Sequence, residues 1–312
     1  MTVQNNQLPL GTELSHYKIS KTLSAGGFGI VYLAVDQRNE QTMVIKEYLP
    51  NRLAKREADL NVVPRADECI STLNEGRQLF LLEVSALKKL THPNIVHITD
   101  SFNAFNTVYI VMDYRPGENL QSILAQHGGG LSEPVMRTIF PPLIDGVRLV
   151  HANNLLHLDI KPGNILIQQN GNPILLDFGA VIRKNMSRTM QPRPVITPGF
   201  SPVEQHDPKG YCGPWTDIYA IGATMRTCME GSPPPRATER QEKDKMKPAT
   251  LAFKRKYSAP LLEAVDWAME VDPLLRPQTI EEFLQAFNKS DGGSPGSFLQ
   301  NFVKRWSFGK AG

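Results

Sequence analysis

Residues 157–164 read HLDIKPGN, which brings a carboxylate (Asp159), an ammonium (Lys161) and an amide (Asn164) into one short loop with Pro162. Asp159 can accept a proton from an attacking hydroxyl, Lys161 can neutralise charge on a transferring phosphoryl group, and Asn164 can hold a metal ion. The proline fixes the loop that carries them. Further along, LLDFGA ends a short apolar run on Asp177, a hard oxygen ligand suited to Mg2+. Upstream, LSAGGFGIVY puts Gly26 and Gly29 in a turn between two predicted strands, where backbone N–H groups without Cβ crowding can approach phosphates. MVIKEY then carries Lys46 on the next strand, flanked by Val44 and Ile45, and LLEVSALKKLTHPNIV places Glu83 among apolar neighbours on a predicted helix, where it could orient that ammonium.

Each fragment alone has an ordinary alternative. A glycine-bearing hairpin is commonly just a turn, a strand Lys a solvated edge charge, a helix Glu an exposed one, and DFG a strand-end turn. Their order along one chain favours a metal-nucleotide site: two carboxylates and an amide near a phosphate-binding turn.

The elements that must position these groups follow from periodicity. YKISKTLS, IVYLAVD and TMVIKEYL alternate in the manner of an antiparallel meander. Residues 50–74 are charged and without clear period, so they are expected to form an insertion with little regular structure. From Glu75 to Leu90, apolar residues recur at helical spacing, which predicts one helix stopped before HPN. IVHITDSF and TVYIVMDY restore strand character around a turn at NAFN, and from Asn119 the pattern is mostly helical. Strands first and helices after predict an α+β fold of two lobes with a cleft between them.

The 312 residues suffice for one large domain or two smaller ones. With 34 Lys plus Arg against 31 Asp plus Glu, the net charge of +3 gives no field that argues for nucleic acid. Cys69, Cys212 and Cys228 lack metal-ligand spacing and read as reduced thiols, which suits a cytoplasmic protein. No run approaches the roughly 18 apolar residues of a membrane span, and the N-terminus has no signal-peptide pattern.

In order along residues 17 to 288, the sequence resembles the eukaryotic-like (Hanks-type) serine/threonine protein kinases: SAGGFGIV, VIK, Glu83, VMDY, HLDIKPGN, DFG, TPGFSPVEQ, WTDIYAIG and DPLLRP. VIKEYLP with a long insertion after it looks like a bacterial subgroup. The resemblance implies a bilobal kinase domain over 17–288, with an antiparallel N-lobe at about 17–112 and a helical C-lobe at about 116–288, a preceding extension 1–16 and a following segment 289–312. It implies ATP as phosphoryl donor with Mg2+, or alternatively Mn2+, and protein substrates, and it admits autophosphorylation. Lys46 would contact the phosphates and pair with Glu83, Asp159 would be the base assisted by Lys161, and Asn164 and Asp177 would bind the metal. Ser24, Gly26 and Gly29 would form the phosphate flap, and Met112 the gatekeeper. Val31, Val44 and Leu166 would sandwich the adenine, with the backbone of Asp113, Tyr114 and Arg115 at its edge. Glu204, Arg276 and Asp217 would be structural, and Lys161 marks the serine/threonine pattern.

Departures from the pattern are Ser24 for the first glycine, Val44 for the usual Ala, PVE for APE, and Leu158 where many relatives carry Arg next to the catalytic Asp. An uncharged Leu158 has no phosphate to pair with, so the activation segment, residues 177 to 204, is expected to become active without phosphate at Ser187 or Thr189 (a non-RD kinase). Its own Arg183, Lys184, Arg188 and Arg193 are the alternative partners of such a phosphate. Thr197, the third candidate phosphosite, is expected to lie near Asp159 and Lys161; capping a turn is its ordinary alternative. Two other function classes compete: a nucleotide-binding pseudokinase or scaffold, and a small-molecule phosphotransferase. The tail SFLQNFVKRWSF places Phe298, Leu299, Phe302, Val303 and Trp306 on one side of a helix. Its expected destination is the kinase's own helical lobe; a partner or a membrane surface are the alternatives, the last making the chain the cytoplasmic part of a membrane-associated protein. Nothing in the sequence sets an oligomeric state.

Overall fold

A computed structural model describes residues 6–127, 130–178, 182–183, 196–207 and 209–289, including all side chains except those of Leu82, Glu83, Ala86, Ile182 and Arg183. Two compact units make it up: one from residues up to 91 plus 96–115, the other from 92–95 plus 116 onward.

The first unit is built on an antiparallel sheet of β1 (Glu13–Leu14), β2 (Tyr17–Ala25), β3 (Gly29–Asp36), β4 (Gln41–Tyr48), β7 (Ile98–Ala104) and β8 (Thr107–Asp113), in the order β1-β2-β3-β4-β8-β7. Between β4 and β7 the chain forms the hairpin β5 (Ala54–Arg56) and β6 (Val62–Pro64), then α1 (Cys69–Leu87). Strand alternation separates two faces. Tyr32, Ile45, Glu47, Tyr109 and Val111 face the core, each with essentially no exposure. Their neighbours Val31, Val44, Lys46 and Met112 share the opposite face, because Val31 registers with Lys46 and Val44 with Met112.

Two expectations are corrected here. Residues 50–74 are ordered: Ala54 and Val62 belong to the core, and Arg56 is buried, so this charged stretch is held by an internal cation rather than solvated. The helix begins at Cys69, before Glu75, because Leu73 already packs into the core, and it ends at Leu87, where Leu90 N donates to Leu87 O in a closing turn. Residues 6–14 are part of this unit, with Leu8 and Leu14 in its core and β1 paired to β2. Mid-helix Gly76 leaves room for Tyr48, whose hydroxyl would lie 1.9 Å from an added Cβ.

In the second unit the small strands carry the polar loops and the helices enclose them. The elements are β9 (Glu118–Asn119), α2 (Leu120–His127), α3 (Glu133–Ala152), β10 (Leu155–Leu156), β11 (Ile165–Ile167), β12 (Pro173–Leu175) and β13 (Ile182–Arg183). They continue with α4 (Val203–His206), α5 (Pro214–Glu230), α6 (Ala237–Glu242), α7 (Ala249–Ala252), α8 (Ala259–Ala268) and α9 (Ile280–Asn288). Sheet β12-β11-β9 and ribbon β10-β13 flank the HLDIKPGN loop, which closes in a 3-10 turn at Pro162–Asn164. Almost every residue of α5 is buried, so this helix is the spine of the unit. Among the described residues no helix is long and apolar enough to cross a membrane. The tail after Lys289, including Phe298 to Trp306, lies outside the described residues, as do Ser187 and Thr189.

Candidate active site

Asp159 is the hub of the second unit's polar loop. Lys161 Nζ donates to both of its oxygens, at 2.9 and 2.8 Å, Thr197 Oγ1 donates to Oδ1 at 2.7 Å, and Asn164 Nδ2 donates to Oδ2 at 2.9 Å. Lys161 also reaches Thr197 Oγ1 at 3.2 Å, and Thr197 N donates to Ser201 Oγ at 3.0 Å. The carboxylate is therefore fixed from three sides by groups that orient it. Thr197 is brought to Asp159 and Lys161 as expected, and its hydroxyl is engaged there; a phosphate on it would press against the Asp159 carboxylate.

Asn164 also gives its amide N–H to Asp159 O at 2.8 Å. With both amide hydrogens turned to Asp159, its carbonyl oxygen makes no hydrogen bond among the described residues. Asp177 follows β12 and is exposed, with φ at 55°, while Phe178 beside it is buried with its ring 4.6 Å from that of His157. An amide oxygen without a partner among the described residues and the carboxylate of an exposed Asp are hard donors of the kind Mg2+ takes alongside phosphate oxygens and water, so these two residues fit that ion.

The loop's backbone is strained and then secured. Leu158 has φ at 62°, a region that bulky residues avoid. Asp217, wholly buried near the start of α5, accepts from Leu158 N at 2.8 Å, His157 N at 2.9 Å and His151 Nε2 at 2.7 Å. Gln205 Nε2 donates to Leu158 O at 2.8 Å. Burial alone would raise the Asp217 pKa, but these donors and the two histidines hold it below the usual carboxylate value. The Leu158 side chain packs with Leu156 and Cys212, so the position is an apolar socket in which an unpaired charge would be costly.

His157 is equally constrained. Its Nδ1 accepts from Asp159 N at 3.3 Å while Nε2 donates to Leu176 O at 3.2 Å, which fixes the neutral tautomer. Burial pushes its pKa below the ordinary 6.5, outweighing the nearby carboxylates of Asp217, Asp159 and Asp177. Below that ordinary value the unfolded chain binds a proton that the folded chain refuses, so stability falls as pH drops under 6.5. The expected contribution is at most about 1.4 kcal/mol per pH unit. It is checked by melting curves from pH 8 to pH 5 for the protein and its His157→Gln variant. The variant should show the shallower dependence; equal slopes would show that His157 is not the titrating group.

Glu204 and Arg276 meet in a buried two-pronged pair at 2.8 and 3.2 Å. Thr216 Oγ1 adds a bond to Glu204 at 2.9 Å, and the guanidinium lies 4.8 Å from the centre of the Tyr219 ring.

In the first unit, Lys46 Nζ lies 5.9 Å from the centre of the Phe80 ring on α1, a cation–π contact. Glu83 is on the same helix, with its side chain outside the described residues. The glycine turn closes with Gly26 N donating to Gly29 O at 2.9 Å. A Cβ at Gly26 would touch nothing closer than 3.8 Å, but one at Gly29 would lie 2.0 Å from Glu47 O. The missing side chain at Gly29 thus serves the close approach of β3 to β4, while the turn's open side belongs to Gly26 and Gly27. Ser24 registers with Val31. Met112 and Asp113 end β8, followed by exposed Tyr114, and Leu166 sits in β11 of the second unit, registered with Asn119.

Sequence reasoning missed four contributors: Phe80, Gln205, His151 and Thr216. Gln205 and Thr216 were within sight, since they lie in the quoted TPGFSPVEQ and WTDIYAIG; Phe80 and His151 carry no local signal. It also missed a buried network next to Lys46. Glu47 Oε1 accepts from Arg56 Nη2 and Tyr109 Oη, both at 2.5 Å, and Oε2 accepts from Tyr32 Oη at 3.0 Å.

A model of the protein kinase domain family matches residues 17–287. The chain is 28% identical over 276 residues to the serine/threonine-protein kinase STE20 of Candida glabrata, covering 87% of this chain and 27% of that protein. It is 28% identical over 295 residues to serine/threonine-protein kinase D of Synechocystis sp., covering 90% of this chain and 54% of that one. These curated relatives are thus much longer than the part that this chain spans. Among solved structures, PpkA-294 in its apo form superposes with a TM-score of 0.81 at 37% identity, covering 91% of this chain and all of that chain (100%). The kinase domain of Mycobacterium tuberculosis PknI reaches 0.65 at 22% identity, covering 90% of this chain and 98% of that one, and shares the fold. The order of sheet, single helix and helical unit, together with these matches, establishes that the chain belongs to the protein kinase domain family.

Proposed function

We propose that the chain transfers the γ-phosphoryl group of ATP to Ser or Thr hydroxyls of proteins, itself included, through a kinase domain at residues 17–288. The observation that carries this reading is the triply held Asp159 carboxylate, facing a Thr197 hydroxyl and the Lys161 ammonium. In the step, the substrate hydroxyl oxygen bonds to the γ-phosphorus, the bond to the ADP oxygen breaks, and the hydroxyl proton passes to Asp159. Lys161 steadies the phosphoryl charge, and Lys46, oriented by Glu83, holds the α- and β-phosphates beneath the turn of Ser24, Gly26 and Gly29. Asn164 and Asp177 would hold Mg2+, which neutralises phosphate charge. Val31, Val44 and Leu166 take the adenine, Met112 guards the pocket, and the Asp113–Tyr114 backbone binds the base edge.

Leu158 supports a non-RD mode of activation, since its apolar socket has no cation for an activation-segment phosphate. The reading fits a cytoplasmic location, in keeping with free Cys69 and Cys228. Purified protein incubated with γ-labelled ATP and Mg2+ and a generic protein substrate should place label on Ser or Thr, and Asp177→Ala should abolish it. Label that persists in that variant, or none in the parent protein, would overturn the reading in favour of a contaminating kinase or a nucleotide-binding scaffold.

A further inference from the structure

The first unit contains a cavity of about 590 Å³ on the stretch that the sequence left without a role. Its walls are β6 of the 50–74 segment, the first half of α1 and the β7–β8 turn, and its lining includes Val63, Pro64, Ile70, Leu73, Arg77 and Phe105. The volume is typical of a ligand-accepting cleft. Val62 N donates to Phe105 O at 2.8 Å, which joins two of the walls. Phe105 takes a left-handed backbone, with φ at 45°, to make that joint, a conformation uncommon for a bulky residue.

Two features specify an occupant. Apolar side chains share the lining with the polar groups of Asn74, Asn103, Asn106 and Thr107, and Ile70, 43% exposed, presents its side chain at the rim. The only cation among the lining residues is Arg77, and none of them is acidic. Its Nη1 donates to Asn74 Oδ1 at 3.3 Å, but its buried Nε has no hydrogen-bond partner among the described residues. Burial lowers the Arg77 pKa, with Tyr48 opposing. That Nε is shielded, but no carboxylate pairs with Arg77 among the described residues, so its charge can attract an anionic oxygen through the Nη groups.

We propose that this groove docks an apolar peptide segment of a partner protein that carries an Asp or Glu carboxylate onto Arg77. The chain's own tail has the wrong charge balance for it: after Lys289 it carries Lys304, Arg305 and Lys310 against Asp291 alone. A segment seated there bears on α1, the helix that also carries Glu83. The docking itself is independent of the catalytic reading.

The test is a displayed library of random dodecapeptides panned on the full chain, followed by affinity measurements on synthetic versions of the enriched sequences. The expected winners combine aromatic or aliphatic residues with Asp or Glu. Their affinity should fall by about tenfold or more both in Arg77→Gln, which removes the guanidinium charge, and in Ile70→Glu, which adds a repelling charge at an already exposed position. Melting temperatures of both variants, expected to stay near that of the parent protein, separate lost docking from lost folding. Absence of enrichment, enrichment of basic peptides, or affinities that neither substitution changes would overturn the proposal. So would binding that appears only after residues 290–312 are removed, which would make the tail the occupant.

Discussion

Replacing Arg56 by Ala is expected to destabilise the protein by about 3–5 kcal/mol, the cost of leaving a buried carboxylate without its counter-ion. Glu47 and Arg56 are both buried, and the pair is fully hydrogen-bonded. The guanidinium bonds to Glu47 through Nη2, to Leu60 O through Nη1 at 2.6 Å and to Asn6 O through Nε at 2.8 Å. Alanine at 56 leaves Glu47 with only the Tyr32 and Tyr109 hydroxyls as donors. It also releases the β5–β6 hairpin and the N-terminal segment from β4. The melting temperature, followed by circular dichroism, should drop by on the order of 10 °C. Replacing both residues by Leu should cost less than the single change, because no charge is then left unpaired. A single variant that melts within about 2 °C of the parent protein would show that the pair contributes little.

Asp159→Asn is expected to lower kcat/KM for a protein substrate by about 10²–10⁴, the usual share of a general base, while ATP binding persists. The change is nearly isosteric, yet it removes the proton acceptor and half of the bonding pattern. Lys161 Nζ and Asn164 Nδ2 both donate to Oδ2, and Thr197 Oγ1 and Lys161 Nζ donate to Oδ1. An amide nitrogen placed at either oxygen position would face a donor. Because Asp217 and Gln205 hold the neighbouring backbone independently, the fold should survive, and the melting temperature is the control. A loss smaller than about threefold at saturating ATP would show that the hydroxyl proton does not pass through this carboxylate.

The polar loops were legible because their chemistry resides in residue identity and short spacing. An acid, an ammonium and an amide within one turn can hardly avoid each other, and the structure finds Asp159, Lys161 and Asn164 in mutual contact. Thr197 was readable for the same reason, once its loop was matched to a family. Arg56 was not, because a charged residue in an aperiodic stretch reads as solvated, and only the fold reveals the carboxylate waiting for it. The same blindness applied to Gly29, whose small size also answers a carbonyl on the next strand, a demand no local pattern shows. Leu158 was noticed as an oddity and explained only in part. Its left-handed backbone and apolar socket depend on Asp217, Gln205 and Cys212, all more than forty residues away along the chain.

Residues 6–14 bear on where this protein begins as a physical object. The match to the protein kinase domain model starts at residue 17. Yet Asn6 supplies an acceptor to the Arg56 backbone N–H at 3.1 Å, Leu8 N donates to Tyr32 Oη at 3.0 Å, and the Leu8 side chain is buried. A chain begun at Tyr17 would expose apolar core surface and strip polar partners from the Glu47 network beside Lys46. The family match marks one stretch of the chain; the packed body reaches back before it, and its additional residues act as an internal ligand that the sheet binds.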